Sequence, residues 1–96
     1  MSRNDILFIL GDYKRRNAKE YGILEIGVFG SVARDEAKEN SDVDIFIKTE
    51  TPNPFVLVHI KQDIENLLHQ RVDLVRMRDR MNPFLKDRIE REGVYV

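Results

Sequence analysis

Gly30-Ser31-Val32-Ala33-Arg34-Asp35-Glu36-Ala37-Lys38-Glu39-Asn40-Ser41-Asp42-Val43-Asp44 is the stretch on which the reading of the chain turns. A Gly-Ser turn closes an apolar run, a short polar segment follows, and a second apolar run opens with aspartates at i and i+2. Side chains alternate along a strand, so Asp42 and Asp44 are expected on one side, about two residue rises apart. Two carboxylates on one face of an otherwise apolar strand repel each other and resist desolvation, which makes a cation their natural company.

Upstream of this stretch, residues 23–29 form an apolar run rich in β-branched and aromatic residues, a buried strand that stops at Gly30. Before it, Ile6, Ile9, Leu10 and Tyr13 recur at helical spacing across residues 4–21, with Asn4 or Asp5 as cap and Gly22 as stop. Lys14, Arg15 and Arg16 give that helix a basic outer face, most simply a solvated one. Ser31 stands where a helix N-cap belongs, so residues 32–38 read as one or two helical turns, and Asn40-Ser41 turns the chain.

Downstream, residues 43–47 form the second strand and residues 48–53 a polar loop. Pro54 suits a first helical position, and Leu57, Ile60, Ile64, Leu67 and Leu68 make an apolar stripe to about residue 70, a helix whose task is to cover the sheet. Residues 71–76 are a third strand that carries Asp73 among apolar neighbours, and a basic loop with Arg78 and Arg80 follows. Asn82-Pro83 repeats the cap-then-proline signal and opens a last helix over 83–92, with Leu85 and Ile89 inward and Gly93 as its stop. Residues 94–96 are a short apolar tail.

The order α-β-α-β-α-β-α predicts a mixed α/β (α+β) fold, a small mixed sheet of about three strands flanked by helices, as one domain over 1–96. If the Gly30-Ser31 turn, at the end of strand one, is to meet Asp42 and Asp44, at the start of strand two, those strands run antiparallel. For Asp73 to reach the same point, strands two and three run parallel, joined by a right-handed crossover through the long helix. Strand two is then central.

Composition bounds the function. With 42% hydrophobic and 34% charged residues and a mean hydropathy of -0.45, the chain is expected to be globular and soluble. Sixteen basic residues nearly balance 17 acidic ones, a formal charge of -1, so bulk electrostatics favour neither direct nucleic-acid binding nor an anionic membrane. The absence of cysteine excludes disulfides, thiolate metal sites and cysteine nucleophiles. No signal peptide or membrane-spanning stretch is read, and a cytoplasmic location is expected. The open edges of so small a sheet leave room for a homo-oligomer or a partner. His59 and His69 have no second ligand at i+4 and are expected to be structural.

Magnesium prefers carboxylate and phosphate oxygens in octahedral geometry and keeps several waters, so a few aspartates plus a nucleotide make a normal site. Asp42, Asp44 and Asp73 are the right residue types, and two such ions can stabilise the attacking and leaving oxygens of an in-line displacement at phosphorus. The Gly30-Ser31 turn offers the opposite wall, where glycine lets the backbone approach phosphate and N–H groups at the start of the next helix point at it.

Gly-Ser, Ala-Arg three and four residues on, then Ser-Asp-x-Asp entering an apolar strand is a combination that resembles the DNA polymerase β-like nucleotidyltransferase superfamily. The small size and whole-chain layout are similar to the minimal nucleotidyltransferases, the MntA-type antitoxins that pair with HEPN-domain toxins. The resemblance implies that Asp42 and Asp44 bind both of two Mg²⁺ ions, with Asp73 completing the catalytic one. It implies that Gly30 and Ser31 hold the terminal phosphates of ATP and that Arg34 lies near the phosphates or the acceptor. It further implies transfer of AMP to a tyrosine hydroxyl of the partner toxin, with Asp73 orienting or deprotonating that hydroxyl. A binding-only antitoxin and a nucleotidyltransferase for a small molecule such as an aminoglycoside are the alternatives. The family commonly has Gly after Ala-Arg; Asp35 stands there in this chain, and capping or dipole compensation at a helix start is the simplest reading of it.

Overall fold

The computed structural model describes residues 1–38 and 40–96; Glu39, in the polar segment between turn and second strand, lies outside them. The elements are α1 (Arg3–Tyr21), β1 (Ile23–Val28), α2 (Gly30–Ala33), β2 (Val43–Thr49), α3 (Pro54–Leu68), β3 (Val72–Arg76), α4 (Pro83–Glu92) and β4 (Val94–Tyr95). Among the described residues the strands form one sheet in the order β3-β2-β1-β4. As the sequence requires, β1 and β2 are antiparallel and β2 and β3 parallel, with β2 between them.

The expected three strands are four. The tail pairs antiparallel with β1, Gly27 opposite Tyr95 and Val28 opposite Val94, and the Val96 N–H donates to the Ile26 carbonyl at 3.0 Å. Two residues are too few to show a period, so only the pairing defines this strand.

Local chemistry sets the helix ends. Ser2, rather than Asn4 or Asp5, caps α1, and Asp5 returns the contact to the Ser2 N–H in a capping box. Asn53 and Asn82 each accept two backbone N–H bonds ahead of a proline, as the cap-then-proline signal predicts. The long helix stops at Leu68, because His69 turns left-handed at φ 55°, two residues earlier than the apolar stripe implies.

Strand alternation then sorts the side chains onto two faces. Val43, Ile45 and Ile47 of β2 and Val72 of β3 point to one face, where they pack with Ile6, Leu10 and Tyr13 of α1 and Ile60, Ile64 and Leu68 of α3. Phe46 of β2 points to the other, where it joins Phe29 and Ile89, with Val75 and Leu85 against them, so α4 covers that face alone. Two residues read as buried are not. Leu67 is 47% exposed at the margin of the α3 stripe, and Leu24 faces out where the β1–β2 register shifts between Ile23 and Glu25.

Phe46 is the centre of the α4 side. It is 1% exposed, its ring meets Tyr95 edge-on at 5.0 Å, and a Cβ on Gly27 would collide with it and with the Val94 carbonyl. Phe46→Ala is expected to lower stability by about 3–5 kcal/mol through the cavity it leaves. Leu67→Ala, by contrast, changes stability by less than about 0.5 kcal/mol. Urea unfolding midpoints compare the two directly.

Candidate active site

The C-terminal end of β1 and the N-terminal ends of β2 and β3 meet at one end of the sheet. The Phe29 N–H donates to the Asp44 carbonyl at 3.0 Å, carrying the ladder one residue past β1, and the chain then breaks into α2 at Gly30. Gly30 has φ 69°, and a Cβ there would run into the Asp44 carboxylate. Glycine is therefore required twice over, for the left-handed backbone and for the close approach.

Asp44 and Asp73 are direct partners in the parallel β2–β3 register. Both share the face of Phe46 and Val75, so the two carboxylates stand side by side on the α4 side of the sheet, beyond the apolar part that α4 covers. Partial burial and the neighbouring Asp73 charge push the Asp44 carboxyl above its ordinary range; Arg88 pulls it back, Asp42 adds to the rise, and Arg34 opposes it.

Asp42 lies just before β2 and is exposed; its Oδ1 sits 3.3 Å from Arg71 Nε. The structure thus brings Asp44, Asp73 and the Gly30-Ser31 turn together and leaves Asp42 beside them in an ion pair. Among the described residues no three carboxylates or imidazoles converge as tightly as a closed metal cage. The donor set nonetheless suits a divalent cation: oxygen-only ligands, two of them held on one strand pair, with mutual repulsion that a cation would relieve.

The helix after the turn is shorter than expected. It is a single turn, Gly30–Ala33, not a helix over 32–38, and its N-cap is Phe29 without a side-chain bond, so Ser31 is not a cap but a partly buried residue inside the turn. Asp35 explains the early stop. It lies past the helix at φ 59°, donates its N–H to Val32 O at 3.0 Å, and so neither caps a helix start nor compensates a dipole there. A left-handed position favours glycine, and Asp is among the few side chains that tolerate it.

Arg34 is exposed beside this turn, its Nε 3.2 Å from Glu36 and its NH1 3.0 Å from Glu92, and the Glu36 hydrogen bond holds the guanidinium firmly charged. Arg88, which the sequence reading did not single out, approaches Gly30 from α4. The basic loop with Arg78 and Arg80 follows the far end of β3, away from the carboxylates. His59 lies 3.5 Å from Asp63 and packs edge-on against Tyr21.

Comparison with known proteins matches residues 10–96 to the family described as nucleotidyltransferase domain. The chain belongs to the nucleotidyltransferase family. It is 39% identical over 97 residues to the protein adenylyltransferase MntA of Thermococcus cleftensis, covering 100% of this chain and 97% of that relative. A solved structure described as a minimal nucleotidyltransferase superposes with a TM-score of 0.79 at 32% identity, covering 98% of this chain and 95% of the other. A chain of the MntA-HpeT toxin–antitoxin complex shares the fold with a TM-score of 0.76 at 21% identity, over 99% of this chain and 72% of that one. The nucleotidyltransferase enzyme class implied by the resemblance of the Gly-Ser and Asp-x-Asp pattern is thereby borne out, as is the mixed α/β fold. No helix among the described residues is long and apolar enough to cross a membrane.

Two consequences follow for this nucleotidyltransferase without metal. Because the folded Asp44 binds its proton more tightly than the unfolded one, its ionisation weakens the fold as pH rises through the raised value. Asp44→Asn is therefore expected to raise the melting temperature in EDTA at pH 7, and the gain should vanish below the ordinary carboxyl value of 3.8. Asp35→Gly is expected to raise stability by up to about 1 kcal/mol by relieving the left-handed strain, measured by the same unfolding assay.

Proposed function

We propose that this nucleotidyltransferase moves AMP from ATP to a tyrosine hydroxyl of a HEPN-type toxin and so acts as its antitoxin. The observation that carries the reading is the opposed Asp44–Asp73 pair with the Gly30 backbone pressed against the Asp44 carboxylate. A phosphate-accessible turn and a pair of cation-seeking carboxylates share one open end of a sheet. The relative at 39% identity is named a protein adenylyltransferase, and one solved complex that shares the fold, with a TM-score of 0.72 at 20% identity, is described as a tri-AMPylated Shewanella oneidensis HEPN toxin with MNT antitoxin.

Asp44 and Asp73 would hold Mg²⁺, and Asp42 would join them by exchanging its Arg71 pair for the cation; two ions are the expected number. Bound there, Mg²⁺ supplies charge neutralisation at the phosphates and at the displaced oxygen. The left-handed Gly30 sets the turn whose backbone N–H groups the terminal phosphates would meet, and Ser31 offers them a hydroxyl donor. Arg34 keeps a permanent positive charge beside the turn, held by Glu36 and Glu92.

The acceptor hydroxyl attacks the α-phosphorus, its bond to phosphorus forms, and the bond to the bridging oxygen breaks to release pyrophosphate. Asp73, exposed at the edge strand, is the base in reach of an incoming protein hydroxyl and takes its proton. The protein's share of the work is placement and charge matching at the open end of the sheet rather than covalent catalysis. An edge strand beside the carboxylates also lets a large acceptor approach without a lid.

Incubation with the cognate HEPN-type partner, ATP and Mg²⁺ is expected to place AMP on a partner tyrosine, located by mass spectrometry. The Asp42→Asn/Asp44→Asn double variant should transfer at least about 10²-fold more slowly. Absence of AMP on a folded partner overturns the proposal. A double variant that still neutralises the toxin fully assigns the protection to masking instead.

A further inference from the structure

We propose that Arg88, on α4, binds the terminal phosphates of the nucleotide, and that Glu92 holds Arg88 and Arg34 together over the Gly30-Ser31 turn. The inference rests on the nucleotidyl-transfer reading above and adds to it a residue outside the Gly-Ser and Asp-x-Asp motif.

Three contacts aim Arg88 at the turn. One terminal guanidinium nitrogen lies 3.4 Å from where a Cβ on Gly30 would stand, on the side of that glycine where the Asp44 carboxylate also lies. Its guanidinium carbon sits 5.9 Å from the centre of the Phe29 ring, the residue just before the turn. Its Nε lies 3.4 Å from Glu92 Oε2, the same oxygen that Arg34 NH1 meets at 3.0 Å. One carboxylate oxygen thus gathers two guanidinium groups; Glu36 takes Arg34 from another side, so the four charges balance and Arg88, paired with Glu92 alone, is the less neutralised of the two arginines beside Asp44.

An ordinary i,i+4 Glu–Arg pair on a helix contributes a few tenths of a kcal/mol and points to solvent. This pair differs because Phe29 and Gly30, from another element, fix where the guanidinium goes. The residue that ends α2 and the helix α4 deliver one arginine each to the same place. The guanidinium fork matches phosphate oxygens, and Arg88 engages Glu92 through Nε while a terminal nitrogen faces the turn. The ligand this suits is the pyrophosphate portion of a nucleoside triphosphate, with a negative charge that the nearby aspartates repel unless cations offset it.

The test measures binding and turnover on the intact protein with Mg²⁺, using ATP, inorganic pyrophosphate and AMP as probes in calorimetry. Arg88→Gln is expected to weaken ATP and pyrophosphate by about tenfold and leave AMP unchanged, since AMP lacks the terminal phosphates. Arg88→Lys should recover part of the loss, and the KM for ATP should rise more than kcat falls. A melting curve that matches the parent's shows that Arg88→Gln is folded; should it melt early, the Arg88→Lys binding series decides instead. Glu92→Gln is expected to weaken pyrophosphate binding less than Arg88→Gln does.

Unchanged ATP and pyrophosphate binding in Arg88→Gln, with a parent that transfers AMP, overturns the role of Arg88 alone. So does an equal loss for all three probes. A parent that binds ATP but transfers nothing overturns the function proposed above while leaving Arg88 to be judged by binding; a parent that binds neither ATP nor pyrophosphate overturns both.

Discussion

Asp44 cannot move without disturbing three neighbours. Its backbone carbonyl takes the Phe29 N–H, its carboxylate fills the space that a side chain on Gly30 would need, and its place in the parallel register sets it opposite Asp73. Partial burial and a like charge next door both disfavour its ionised form, so the fold spends stability to keep a carboxylate there. Such a cost is typical of a site organised for something other than packing.

The division of the sheet into two faces is what allows the strain to be carried. Ile45 and Ile47 bury the inner face of β2 under α1 and α3, a core that holds the strand whatever happens on its other side. On the outer face the apolar cover stops with Phe46, and Asp44 lies two residues nearer the strand's start, where α4 presents Arg88 in place of an apolar side chain. The strand therefore changes from structural to chemical within one step of its own alternation. The β4 pairing strengthens the arrangement from the other side, because Tyr95 closes over Phe46 and α4 is tied back to the sheet through Val94.

Much of this was legible in the chain. The alternation at Val43-Asp44-Ile45, the Asn-Pro pairs and the Gly-Ser turn are local signals, and a geometric demand that three separated segments meet was enough to orient β1, β2 and β3. Where the reading failed, the cause was short range or long range competition. Residues 32–38 have helix-compatible composition, yet Asp35 adopts a left-handed backbone that ends α2 after a single turn. Val94–Tyr95 is too short to announce a strand, and the Asp42–Arg71 ion pair joins two segments that no local pattern links.

The sequence by itself determined the nucleotidyltransferase motif and the residue types in it, because each rests on neighbours a few positions apart or on a periodic pattern, and the strand directions followed from the demand that the separated segments meet. Only the tertiary structure decided that Asp73 stands directly opposite Asp44, that Gly30 is obligatory because of a carboxylate fourteen positions on, and that Arg34 and Arg88 share Glu92. These are contacts between side chains on different elements, set by register and by helix packing. Nothing in the local spacing of Arg88 distinguishes it from Arg91, which pairs with Asp87 on the same helix; the approach of Phe29 and Gly30 does.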